Sequence, residues 1–294
     1  MDKEELKECM YYSTIENNKV QCDLCPKNCI ISENKTGICN TRINLNGKLY
    51  SLTYEKPISI SVDPIEKKPI FRFHPEENIL SIGTIGCNFK CKFCQNFDIS
   101  QSKAIEYYDK IKTVSAEEII RIAKEKNLKL IAFTYTEPTI FYEYMLDIAK
   151  LAKKERIECV IVSNGYINPK PLQKLCKYIS AANIDLKSFD DNFYRNLCSA
   201  NLAPVLESLK ILKENNIHIE VTNLIIKGEN DSLTDIEKLA IWIKDNLGEN
   251  TPLHLSRAFP MYKMLDIIST PISTLQKAKK VCDKYLNYVF LGNI

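Results

Sequence analysis

From residue 78 onward, short apolar or β-branched runs alternate with longer stretches of helical periodicity, an alternation that few folds satisfy. The runs fall near residues 78–84, 129–135, 157–163, 181–187, 217–226 and 252–257, with 288–291 as a seventh. Their largely apolar composition suits strands covered by helices on both faces, as in a parallel sheet. Between them, Ile236, Leu239, Ala240, Ile243 and Leu247 recur at i, i+3, i+4, i+7 and i+11, and Leu202, Val205, Leu206 and Leu209 repeat the pattern. Each set makes one buried helical stripe. Ser115 with Glu118 and Thr234 with Glu237 have capping-box spacing, and Pro169 and Pro271 read as first-turn prolines after Asn168 and Thr270. The expected fold class is α/β, a partial (β/α)6 barrel of the TIM type. A complete eight-fold barrel takes about 250 residues, more than residues 78–294 provide.

Residues 1–77 read differently, with a short polar helix expected near 3–10, a cysteine-rich stretch, and alternating runs around the hairpin signal Asn46-Gly47. The chain thus divides into a small N-terminal cysteine-rich subdomain, 1–77, and a barrel, 78–294. Forty basic and 37 acidic side chains leave a net charge of +3, too near balance to mark a nucleic-acid surface. No run of apolar residues is long enough to span a membrane, and Met1-Asp2-Lys3-Glu4-Glu5 lacks the character of a signal peptide, so a cytoplasmic protein is expected.

Thiols stay reduced in that compartment, so clusters among the twelve cysteines read as metal ligands rather than disulfides. Seven of them fall between residues 22 and 94. Cys9, Cys159, Cys176, Cys198 and Cys282 stand apart and read as small buried hydrophobes. Cys87, Cys91 and Cys94 form C-x3-C-x2-C at the carboxyl end of the first barrel strand, the rim where such barrels carry their active sites. Three thiolates from one loop suit an iron-sulfur cube with one iron left open; a three-cysteine zinc loop completed by a distant histidine, or a loop of free thiols, is the alternative.

With aromatic Phe93 before its last cysteine, this motif resembles the signature of the radical S-adenosylmethionine (SAM) superfamily, over about residues 78–260. The resemblance implies a [4Fe-4S] cluster whose open iron chelates SAM. An electron from the cluster then yields methionine and a 5'-deoxyadenosyl radical that abstracts a substrate hydrogen. It also implies cofactor-binding residues at the strand ends. Glu137, held extended by Pro138, stands where the superfamily has a glycine-glycine-glutamate segment for the methionine ammonium; a solvated loop glutamate is the plainer reading. Ser163 and Asn164, before Gly165, are placed to meet a ribose, although turn chemistry alone also explains them. Asp185 and Lys187 share one face of a strand and resemble the Asp-x-Lys motif of glycyl-radical activating enzymes; a structural ion pair is the alternative. Phe93 is a candidate neighbour of the adenine or simple core.

Four stretches, Glu66–Ile70, Cys94–Gln101, Tyr135–Thr139 and His254–Lys263, are similar to the radical SAM protein of the AmmeMemoRadiSam system. Cys22-Asp-Leu-Cys25-Pro26, Cys29, Gly37, Cys39 and Arg42 extend that likeness over nearly the whole chain. The implied partners are a flavodoxin or ferredoxin as electron donor and a protein substrate, with glycyl-radical activation as the alternative activity. Cys22, Cys25, Cys29 and Cys39 form C-x2-C-x3-C-x9-C, a four-thiolate site. Zinc is the first expectation because four ligands leave no open position, and a second iron-sulfur cluster is the alternative. Of the three histidines, His218 reads as structural, while His254, Arg257 and Tyr262 near the last barrel strand are candidates to face a substrate.

Overall fold

The structure, a computed structural model, describes residues 6–294. Eight strands lie side by side in chain order: β1 (Ser59–Pro64), β2 (Asn78–Gly83), β3 (Leu130–Phe133), β4 (Glu158–Ser163), β5 (Ala181–Asp185), β6 (His218–Ile225), β7 (Leu253–Arg257) and β8 (Val289–Gly292). From β2 to β8 every neighbouring pair is parallel, and β1 runs antiparallel to β2 along its whole length. The edge strands β1 and β8 do not pair with each other, so the barrel is partial and open.

Six helices make the crossovers: α1 (Ala116–Glu125), α2 (Tyr142–Lys154), α3 (Pro169–Leu175), α4 (Ala203–Glu214), α5 (Leu233–Leu247) and α6 (Ile272–Cys282). Their stripes follow the sequence period: Ile236, Leu239, Ala240, Ile243 and Leu247 of α5 are all buried, each large side chain contributing about 1.5–3 kcal/mol by leaving water. The Ser115 hydroxyl caps α1 by accepting the Glu118 N–H at 3.1 Å. Two expected starts shift: α5 begins after Ser232, which puts Thr234 inside the first turn, and Pro271 is itself the N-cap of α6.

The sheet begins before residue 78. Residues 59–64 fall in the segment read from sequence as N-terminal, yet they form an edge strand, where Pro64 needs no N–H for the ladder. Ahead of it stand two small antiparallel sheets. One joins Lys7–Glu8, Lys48–Ser51 and Arg42–Leu45; the other joins Tyr12–Thr14, Val20–Cys22 and Ile30–Ile31. The helix expected near 3–10 is not formed over its described part, because Lys7 and Glu8 pair with Ser51 and Tyr50; residues 1–5 lie outside the described residues. The Asn46-Gly47 hairpin is formed, both residues taking the left-handed φ of 54° and 74° that the two-residue turn requires. This region shares one core with the barrel, with Val20, Leu24 and Leu49 in it, and is tied to α2 by the buried Arg42–Glu143 ion pair.

The segment after β1 folds back under the barrel. Ile65 and Ile70 pack on Ile79, Leu130, Ala132, Val160 and Ala181 and fill the inner face at the lower strand ends. Glu220 of β6, fully buried, fastens this segment by accepting the N–H of Phe71 at 2.9 Å and of Arg72 at 2.7 Å. His254 and His218 also meet its carboxylate, at 2.6 and 3.1 Å. Burial pushes the Glu220 carboxyl up, but these bonds outweigh it and hold it at about 2. His254 is therefore engaged in structure, between Glu220, Phe71 and Phe290, rather than facing a substrate. Because the folded carboxyl is depressed below its ordinary value of 4.5, its contribution is full above about pH 4.5 and falls away as pH drops toward 2. Glu220→Gln should lower stability by about 2–4 kcal/mol at pH 7 and flatten that acid limb, as read by denaturant unfolding between pH 2 and 7.

Candidate active site

β2 ends at Gly83 and releases the loop that carries the three central cysteines, of which Cys87 and Cys91 are buried and Cys94 partly so. The loop is fixed from outside by a π-helical turn, Tyr194–Cys198, whose carbonyls accept the Lys90 N–H (from Cys198, 3.0 Å) and the Lys92 N–H (from Leu197, 2.9 Å). On the opposite side the Lys263 N–H bonds the Lys92 carbonyl at 2.9 Å, and Tyr262 stacks on Phe97 at 4.8 Å. Tyr262 thus closes over the cysteine loop, while Arg257 turns aside to the Thr270 carbonyl, 2.7 Å away.

Burial pushes the Cys87 and Cys94 thiols up, and a hydrogen bond with Cys198 together with burial does the same for Cys91. As free thiols they would stay protonated; a cationic metal centre is what makes such buried sulfurs anionic. The Lys187 ammonium, acting on Cys91, supplies further positive charge. Three soft donors from one short loop, close enough to influence one another's ionisation, fit an iron-sulfur cluster with an open corner. Sequence spacing gave no sign of Cys198, which stood among the solitary cysteines; only the fold carries it against Cys91.

The strand-end residues separate into two groups. Glu137 is fully buried, and its carboxylate is engaged by three donors: the Thr139 N–H at 3.0 Å, the Ser163 hydroxyl at 2.8 Å and the Asn164 N–H at 2.8 Å. It therefore ties the end of β3 to the end of β4 instead of standing open over the rim. Ser163 also accepts the Gly165 N–H at 3.0 Å. Asn164 points to the cysteine loop, 2.8 Å from the Asn88 Oδ1 and 3.8 Å from the Cys87 Sγ. Asp185 and Lys187 form the second group, an ion pair of 3.0 Å at the end of β5 with the Asp185 side chain 35% exposed. Burial alone would lower the Lys187 ammonium, but Asp185 and Cys91 hold it well above its usual range. It lies 5.8 Å from the Phe93 ring centre, and Phe93 is buried against Phe193. Cys91, Phe93, Asp185 and Lys187 thus form one cluster, while Asn164, just past β4, meets the loop on its Cys87 and Asn88 side.

Cys22, Cys25, Cys29 and Cys39 wall a second, largely enclosed cavity together with Arg42 and Asn88. Among the described residues no three His, Cys, Asp or Glu side chains converge as ligands of a single ion, and no helix is long and apolar enough to cross a membrane.

The family model of the radical SAM superfamily matches residues 81–243, more than half of the chain, and the chain belongs to that superfamily. It is an enzyme of SAM-dependent radical chemistry, with a [4Fe-4S] cluster and SAM as cofactors. The Methanocaldococcus jannaschii protein MJ0808 is 42% identical over 98% of this chain and 86% of its own length. The pyruvate formate-lyase-activating enzyme of Clostridium pasteurianum is 25% identical, over 68% of this chain and 87% of that one. Among solved structures, a radical SAM methyltransferase from Sphaerobacter thermophilus shares the fold with a TM-score of 0.58 at 15% identity, covering 74% of this chain and 67% of that one.

Gly86, just before the first central cysteine, has φ 97°, and a Cβ there would lie 2.3 Å from the Thr41 Cγ2 and 2.6 Å from the Cys39 carbonyl oxygen. Gly86→Ala should therefore destabilise the protein by at least about 2 kcal/mol and loosen the cysteine loop, measured as a lowered melting temperature and faster loss of iron to a chelator.

Proposed function

We propose that the Asp185–Lys187 end of β5 receives SAM beside the Cys87, Cys91 and Cys94 centre, and that the enzyme abstracts hydrogen from a protein substrate. The observation that carries this is the placement of a half-buried carboxylate and a retained ammonium on one side of the only loop in the chain with C-x3-C-x2-C spacing. When bound, the [4Fe-4S] cluster supplies the electron that splits SAM into methionine and the 5'-deoxyadenosyl radical. Lys187 binds the methionine carboxylate by a charge-assisted hydrogen bond. Asp185 keeps that ammonium in position and presents its free oxygen to the ribose. Asn164 orients the loop from below, and Phe93 forms the apolar floor between Lys187 and Phe193. Ser163 acts with Glu137, which fixes the two strand ends and does not meet the ligand itself.

The protein substrate is supported by likeness to activating enzymes: besides that of Clostridium pasteurianum, the 4-hydroxyphenylacetate decarboxylase activating enzyme of Clostridium scatologenes is 22% identical over 64% of this chain and 66% of that one. A flavodoxin or ferredoxin in the cytoplasm is the donor, and the branch is that of the AmmeMemoRadiSam system. Anaerobic protein reconstituted with iron and sulfide, then given SAM and dithionite, should form 5'-deoxyadenosine, whereas Cys94→Ala should form none. Lys187→Ala should raise the SAM dissociation constant about 10- to 100-fold, read by titrating the cluster's electron paramagnetic resonance signal with SAM. An unchanged signal on adding SAM to the unsubstituted protein would overturn the assignment.

A further inference from the structure

We propose that Cys22, Cys25, Cys29 and Cys39 hold a second iron-sulfur cluster, in electron-transfer contact with the one at Cys87, Cys91 and Cys94. This rests on the reading of the central loop as the SAM cluster site, and goes beyond it by giving the N-terminal cysteines a redox role. Two of the four sulfurs are met by side-chain hydrogen-bond donors. Cys22 accepts from the Arg42 guanidinium at 3.6 Å and Cys39 from the Thr41 hydroxyl at 3.1 Å. Such donors stabilise anionic sulfur on any metal, so the choice of metal rests on spacing and position. Tetrahedral zinc, with bonds of about 2.3 Å, draws its four sulfurs to one point. Here the four sulfurs wall a single enclosed cavity that suits either metal group, so the choice falls to position.

Position argues more strongly. The Cys39 carbonyl and Thr41 lie against Gly86, so tightly that a methyl group would not fit between the two cysteine regions. Asn88 lines the N-terminal cavity, and the same side chain lies 4.0 Å from the Cys87 Sγ and bonds Asn164. Lys27 lines the N-terminal cavity, bonds the Ser199 carbonyl and lies 6.0 Å from the ring centre of Phe89 in the central loop. One residue's thickness thus separates the sites. Zinc, which has no redox chemistry, would draw only folding stability from that contact, whereas a cluster exchanges electrons across it. Held by those four cysteines, a cluster would take one electron from a low-potential one-electron donor and pass it to the central one, returning to its oxidised state as the other is reduced, with no proton moved.

Full-length protein, purified and reconstituted without oxygen, should contain about eight irons and eight sulfides per chain and no stoichiometric zinc. On reduction its paramagnetic resonance should show the broadening of two interacting spins. Cys25→Ser/Cys39→Ser should lose half of the iron and the broadening while keeping the SAM-responsive signal. Cys87→Ala/Cys91→Ala/Cys94→Ala should keep the other half and lose that response. About four irons with one zinc in the unsubstituted protein, or two clusters without spin interaction, would overturn the proposal while leaving the central site standing. Iron absent from the central loop alone would instead overturn the SAM reading. Metal content of the unsubstituted chain decides the matter even if the serine variant fails to fold.

Discussion

Sulfur that must become anionic inside a dry protein needs a positive partner, and the architecture at the upper strand ends follows from that need. Cys87, Cys91 and Cys94 emerge where seven parallel strands end, so groups distant in sequence can be brought to them: Lys187 from just beyond β5, Asn164 from just beyond β4 and the π-helical turn from the chain leading into α4. The barrel's contribution is positional. Parallel strands put all of their carboxyl ends at one rim, and only there can one loop meet an ammonium, an amide and clamping carbonyls together.

The lower ends answer a different problem. An open barrel leaves its inner face without a closing strand, and the chain after β1 fills that space with Ile65 and Ile70. Backbone buried there must find partners, which Glu220 provides for Phe71 and Arg72 and Asn183 provides for the Pro69 carbonyl at 2.6 Å. The two ends therefore differ: polar side chains below hold the returning segment, whereas above Glu137 ties two strand ends together and Asn164 and Lys187 turn to the cysteine loop.

The barrel was legible because each of its signals is local. Apolar runs gave all seven parallel strands to within two residues at each end, as β5 and β6 show, and the spacing of Cys87, Cys91 and Cys94 located the active loop. What escaped was decided by pairing across the chain. Lys7 and Glu8 carry no strand signal, and residues 59–64 none strong enough to separate them from the segment before, until Ser51 and β2 offer them a ladder. Cys198 gave no clue because its meaning lies in contact with Cys91. Glu137 was read as an open acid because proline geometry indicates extension but does not tell which way a carboxylate turns.

The buried Arg42–Glu143 pair has a consequence for how the molecule can be divided. Glu143 belongs to the barrel, on α2, and its counter-ion belongs to the small sheets ahead of β1. A barrel produced without those sheets would leave that carboxylate without the Arg42 guanidinium and the Met10 N–H that it now holds, and would uncover the Tyr142 ring that Tyr11 packs against. The N-terminal segment is thus no detachable module, and any shuffling of its kind among related barrels would have to carry both halves of the pair.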